Sequence, residues 1–173
     1  MVDEDRTPYE EAVSDFEADF DRLVNASGDK DEQRRAWLAT VGHTFRIREY
    51  RKEQCGTDEA YDAVVAANES GQVTEGIIII RDIATHVLAV RASPESRMLY
   101  PGSKVFPSDY LFPGDGNLFW LDMHELSPEA ADAVRARDRR RHYYRDKVGG
   151  LLVLGTLRAA REFLIKDVDN LFA

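Results

Sequence analysis

Tyr9, Ala12, Val13, Phe16, Phe20, Leu23 and Val24 recur at three- and four-residue intervals, a spacing that predicts one amphipathic helix over residues 8–26. Thr7-Pro8-Tyr9-Glu10 supplies its start: a cap, proline in the first helical position and a glutamate three residues after the cap. Asn25-Ala26-Ser27-Gly28 supplies its end. A longer helix is expected over 31–54. Trp37, Leu38, Val41 and Phe45, with Ile47 and Tyr50 as further candidates, form its buried side, and Cys55-Gly56 stops it. Thr57-Asp58-Glu59 opens a short helix through Tyr61, Val64 and Val65, which Ser70-Gly71 is expected to end. The most apolar stretch follows, Gly76 to Val90, read as a central helix over 74–92 that Ser93-Pro94 terminates.

Residues 94–126 break the helical periodicity. They hold four of the six prolines and three glycines, and their apolar runs are too short for helices. They also carry five of the fifteen Phe and Tyr residues together with Trp120, so the stretch is read as a long ordered loop or small hairpin packed on the helices by its aromatics. Two more helices are expected, over 128–147 and 151–168, the last burying Leu154, Leu157, Ala160, Phe163 and Leu164. The predicted fold is all-α: an antiparallel bundle of five to six helices forming one domain over 1–173, with an excursion at about 94–126.

Charge is distributed unevenly. The formal net charge is −9, of which residues 3–21 supply −8, while residues 135–147 hold six arginines, one lysine and two aspartates for +5. This predicts that the arginine run is largely neutralised by the protein's own acids, those of 3–21 included. No run approaches the roughly 20 apolar residues of a membrane helix, and the acidic start is unlike a signal peptide. The single cysteine, Cys55, excludes an internal disulfide and suits a reducing cytoplasm. With four scattered histidines it gives no metal-ligand spacing, so neither a metal nor a small-molecule cofactor is expected.

Candidate chemistry lies where arginine and histidine come within reach of one another. In the central stretch, Asp82 and His86 are four apart, so on a helix the carboxylate can hold the imidazole. Arg81 leaves the helix axis about 140° from His86 and meets the same ligand only through its length or across a symmetric interface. The second candidate is Arg137, His142 and Tyr144, set within the arginine run. Arginine offers a planar, permanently charged fork suited to phosphate, and histidine exchanges protons near neutral pH. Together they can cleave RNA without metal: histidine takes the 2′-hydroxyl proton and arginine stabilises the phosphate charge. The other reading of Arg81, Asp82 and His86 is a buried polar cluster, Asp82 bonding His86 or a neighbouring arginine.

Arg81-Asp82 followed by His86 resembles the motif of the HEPN superfamily: an arginine with a polar residue just after it, then a histidine after four to six positions. These are small helical bundles, many of them metal-independent endoribonucleases. The resemblance covers mainly residues 31–92 and the later helices more loosely. It implies RNA as substrate, Arg81 as phosphate clamp, His86 as base, and a homodimer that brings two motifs into one cleft. His142-Tyr143-Tyr144 matches a variant ending of the same motif. The competing expectation is a non-enzymatic helical protein that binds a partner through its acidic first helix or its arginine-rich helix.

Overall fold

A computed structural model of the chain describes residues 7–26, 29–84, 90–91, 118–126, 128, 131–132 and 141–166. Helix dominates them, as the periodicity predicts: α1 (Pro8–Asn25), α2 (Lys30–Gln54), α3 (Asp58–Ala67), α4 (Glu69–Ala84), α5 (Arg141–Lys147) and α6 (Val153–Arg161), the last running into a π-helical turn (Glu162–Lys166). Two short strands, β1 (Val90–Arg91) and β2 (Phe119–Trp120), pair antiparallel.

The helix starts are chemically specified. The Thr7 hydroxyl accepts the Glu10 backbone N–H at 3.3 Å, and the Glu10 carboxylate returns the contact to the Thr7 N–H at 2.8 Å. Together they satisfy two of the amides that a helix start leaves without partners. Asp29 caps α2 through the amides of Asp31 and Glu32, and Thr57 caps α3 through Ala60. At the end of α2, Gly56 takes φ 78°, a left-handed turn that glycine adopts without a side-chain clash.

α1 lies antiparallel along α2, with Ala12, Phe16, Phe20 and Leu23 buried and the Phe16 and Phe20 rings stacked at 5.8 Å. Val24, expected on the same stripe, is 41% exposed, because it falls a full 100° around the helix from Leu23. α4 is the centre of the bundle and packs against α2, α3, α5 and α6. Val73, Thr74, Glu75, Ile77, Ile78 and Ile79 are all buried, so this helix is covered on every side.

Both ends of α4 depart from the sequence expectation. The helix starts at Glu69, not near residue 74: Asn68 ends α3, and its side-chain carbonyl accepts the Gly71 N–H at 3.1 Å, capping α4. Gly71 is therefore inside α4. A Cβ there would stand 2.9 Å from the Phe163 ring, so glycine is required by packing where it read as a helix stop. Gly76 has the same role against α5, with Val148 Cγ2 only 2.6 Å from where a Cβ would lie. At the other end, a helix reaching residue 92 is ruled out. Val90 and Arg91 pair with Trp120 and Phe119, an extended pairing that local helical spacing cannot foresee.

The segment 118–120 is held from two sides. It pairs with β1, and it also exchanges backbone hydrogen bonds with the turn after α5: Gly150 N–H to the Trp120 carbonyl (3.0 Å), Trp120 N–H to the Leu151 carbonyl (3.0 Å), and Val153 N–H to the Leu118 carbonyl (2.8 Å). Trp120 is thereby placed in the core, 5.9 Å from the Trp37 ring, with its indole N–H donating to the Thr156 hydroxyl at 2.6 Å. Extended pairing through Leu152 delays α6 to Val153. Leu157, Ala160, Phe163 and Leu164 are buried as expected, whereas Leu154 is only half-buried and Val153 takes an inward position. Of the helix expected over 128–147, Pro128, Ala131, Asp132 and α5 are helical; the intervening residues lie outside the described ones.

Candidate functional site

Arg81 occupies the last turn of α4, half-buried. Its guanidinium carbon lies 3.7 Å from the centroid of the Phe45 ring on α2. A cation over a ring face is attracted by the ring quadrupole while the N–H edge of the fork stays available. Among the described residues no carboxylate pairs with Arg81. Asp82 continues the same helix; its side chain, and the whole of His86, lie outside the described residues.

The second candidate separates into different environments. Arg137 lies outside the described residues. His142 is exposed on α5, its ring 3.9 Å from that of Tyr143. Tyr144, the next residue, is fully buried, and its hydroxyl donates to the Leu121 carbonyl. Burial, and then the charges of Asp122 and Glu125, push the Tyr144 phenol far above the usual tyrosine range. The hydroxyl thus anchors α5 to the returning excursion, and His142 and Tyr144 do not share a face.

A polar network absent from the sequence reading lies between α2, α3 and α4. Arg48, on α2, is 3% exposed. Its Nε donates to Glu75 Oε1 at 2.8 Å and its Nη2 to Glu75 Oε2 at 3.3 Å, while Nη1 reaches Glu49. The buried Tyr61 hydroxyl donates to Glu75 Oε1 at 2.9 Å, and the Arg48 guanidinium lies over the Tyr61 ring at 5.0 Å. Burial opposes the arginine's charge, but the hydrogen bonds and charge of Glu75 outweigh it, so the Arg48 pKa is raised. Burial and then the Glu75 charge push the Tyr61 phenol well up as well. Two signals could have revealed this network. Val41, Thr44, Arg48 and Arg51 share one helical stripe, and Glu75 is a lone acid inside an apolar run.

This network lines the base of a cleft of about 430 Å³. Lys52 and Asp58 face each other at its side, paired at 2.8 Å; Asp62 lies on the α3 wall, and His142 and Tyr143 form the α5 wall. Among the described residues no group of three or more His, Cys, Asp or Glu side chains is placed to hold a metal ion.

The acids of α1 turn toward α2 and α6. Asp15 pairs with Arg46 (3.3 Å), Asp19 with His43 Nε2 (3.1 Å) and Glu17 with Arg161 (2.7 Å). The expected match between these acids and the arginine run is therefore not what the described residues display. At the far end of that run, Arg145 pairs with its neighbour Asp146 and Lys147 with Glu69. His43, which has no acid near it in sequence, finds one across the α1–α2 interface.

The fold and these sites define an all-α helical bundle in which no described helix is long and apolar enough to cross a membrane. No protein-family model, no curated protein and no solved structure matches the chain.

Proposed function

We propose that the protein is a HEPN-like, metal-independent endoribonuclease whose phosphate clamp is Arg81. The observation that carries this reading is the guanidinium seated over Phe45 at 3.7 Å, with no carboxylate partner among the described residues. The buried arginines of this bundle spend their donors within the chain, Arg48 on Glu75 and Glu49, and Arg51 on the Leu164 carbonyl, Gln54 and the Tyr9 hydroxyl. Arg81 is instead positioned by an aromatic face, which fixes the fork and leaves its donors for a ligand.

In the proposed reaction, His86 takes the proton of a ribose 2′-hydroxyl and the freed oxygen attacks the adjacent phosphorus. The bond to the 5′-oxygen breaks, that oxygen takes up a proton, and a 2′,3′-cyclic phosphate remains. Arg81 stabilises the charge that builds on the phosphate oxygens, and Asp82, four residues before His86, orients the imidazole. A homodimer brings two such helices to one cleft. The competing reading is a partner-binding protein using its acidic first helix or its arginine-rich helix; for the first helix it is weakened, because Ala12, Phe16, Phe20 and Leu23 are covered and Asp15, Glu17 and Asp19 pair within the chain.

The test is cleavage of a single-stranded oligoribonucleotide in EDTA. Arg81→Ala and His86→Ala should each lower the rate by about a hundredfold or more with the melting temperature nearly unchanged. A stable His86→Ala protein that cleaves like the parent removes His86 from the mechanism. Loss of about 1–3 kcal/mol of stability with either change would mark the cluster as structural.

A further inference from the structure

We infer that the outer face of α2, from Arg34 to Phe45, is a track for the phosphodiester backbone of a single RNA strand, with Arg34 as a second phosphate site beyond Arg81. The track rests on the ribonuclease reading above and extends its substrate from one scissile phosphate to a strand of several nucleotides.

Helix geometry puts the two arginines on one line. Arg34 and Phe45 are eleven residues apart on α2, which sets them within about 20° of each other around the axis and about 16.5 Å apart along it. The Arg81 guanidinium stands over the Phe45 ring at 3.7 Å, so it marks the far end of the same face. Leu38 and Gly42 fall between, and all four α2 positions lie within an arc of about 80°. The neighbouring helices meet α2 on either side of that arc. On one side Arg22, Asp19 and Asp15 of α1 pair with Glu32, His43 and Arg46. On the other, Glu75 of α4 pairs with Arg48.

The chemistry of this face suits an anionic chain. Arg34 is exposed, and its side chain has no hydrogen bond or ion pair among the described residues. It lines a hollow of about 370 Å³ with Asp31, Arg35 and Leu38. Arg35 is engaged locally, with Glu32 at 3.5 Å and the Asp31 carbonyl at 3.2 Å, so Arg34 supplies the fork that a phosphate can meet. Asp31 is the opposing charge. Between the two guanidinium groups, Leu38 and Gly42 are half-buried and uncharged. A Cβ at Gly42 would meet nothing within 4 Å, which leaves room for ribose and base. The separation of about 16.5 Å corresponds to about five nucleotides at a stacked rise of about 3.4 Å each, and to fewer in an extended strand.

The experiment measures binding of 2′-O-methyl oligouridylates, which lack the attacking hydroxyl, to the full chain by fluorescence anisotropy over a salt series. An octanucleotide should bind at least about tenfold tighter than a dinucleotide, because only the longer strand reaches both arginines. Arg34→Ala should weaken the octanucleotide by about fivefold to tenfold and lower the slope of log affinity against log salt by about 0.7, the share of one phosphate on a single strand. Gly42→Glu places a negative charge in open space on the helix, so it should weaken the octanucleotide by a similar factor without lowering the melting temperature. Asp31→Asn should strengthen it. Equal affinity for the two lengths, or octanucleotide binding and salt slope untouched by both Arg34→Ala and Gly42→Glu, would overturn the track. Polyglutamate that binds as tightly as the octanucleotide, and loses affinity equally with Arg34→Ala, would assign the face to an acidic protein partner and overturn the RNA assignment. If Arg81→Ala leaves cleavage intact, or the parent cleaves no RNA, while Arg34→Ala still weakens the octanucleotide, the ribonuclease reading fails and the strand-binding face stands. If Arg81→Ala abolishes cleavage while Arg34→Ala and Gly42→Glu leave octanucleotide binding at the parent's value, the track fails and the ribonuclease reading stands.

Discussion

Arg48 Nε on α2 lies 2.8 Å from Glu75 Oε1 on α4, and the two side chains are only 4% and 3% exposed. The pair joins the two long inner helices at the base of the cleft. Removing one member strands the other's charge in the core. We predict that Arg48→Ala destabilises the protein by about 3–5 kcal/mol in urea denaturation, whereas replacing both with apolar residues of similar volume, Arg48→Met with Glu75→Leu, recovers most of that loss. A single substitution costing under about 1 kcal/mol would show that water reaches the site.

Two buried tyrosines set the alkaline limit of the fold. Tyr61 and Tyr144 both have phenol pKa values raised in the folded protein. Above pH 10 the unfolded chain releases these protons and the folded chain keeps them. Their contribution is therefore complete below about pH 10 and is lost as pH rises beyond it, by about 1.4 kcal/mol per pH unit for each tyrosine. Denaturation curves between pH 9 and 11 should reveal this slope, and Tyr144→Phe should remove about half of it.

Glycines in two helices should respond in opposite directions. At Gly76 a Cβ would meet Val148 Cγ2 at 2.6 Å and the Tyr143 carbonyl oxygen at 3.1 Å, so Gly76→Ala should cost about 1–3 kcal/mol by forcing α4 and α5 apart. At Gly42 on α2 nothing lies within 4 Å of the added carbon, so Gly42→Ala should stabilise by about 0.5–1 kcal/mol through helix propensity. Thermal melts of the two variants check both signs.

Phe45 is predicted to act through Arg81. Phe45→Leu keeps apolar bulk and removes the ring face beneath the guanidinium. Loss of a cation–π contact of about 1–2 kcal/mol should lower RNA cleavage by about fivefold to thirtyfold, with a smaller change in melting temperature than cleavage would suggest. Unchanged cleavage in the folded variant would mean that the ring does not position Arg81.

The sequence by itself determined the helices that local chemistry encodes. Thr7 and Thr57 cap where they precede apolar periodicity, and Phe16, Phe20, Trp37 and Val41 are buried on the stripes that spacing predicts. It also marked the stretch containing Arg81 as central, and α4 is the helix that the others surround. Tertiary structure decided the rest, because each remaining feature depends on a partner distant in the chain. Gly71 reads as a helix stop until Phe163 is brought against it, and the packing need for glycine at 76 becomes visible only once Val148 lies against it. Val90 and Arg91 continue a helical pattern, yet Trp120 and Phe119 supply backbone partners that win over propensity. The burial of Arg48 depends on a counter-charge, Glu75, that is 27 residues away. The cleft likewise joins His142 to Asp62 across a separation that no periodicity spans, since charge pairing acts through space and sequence patterns act along the chain.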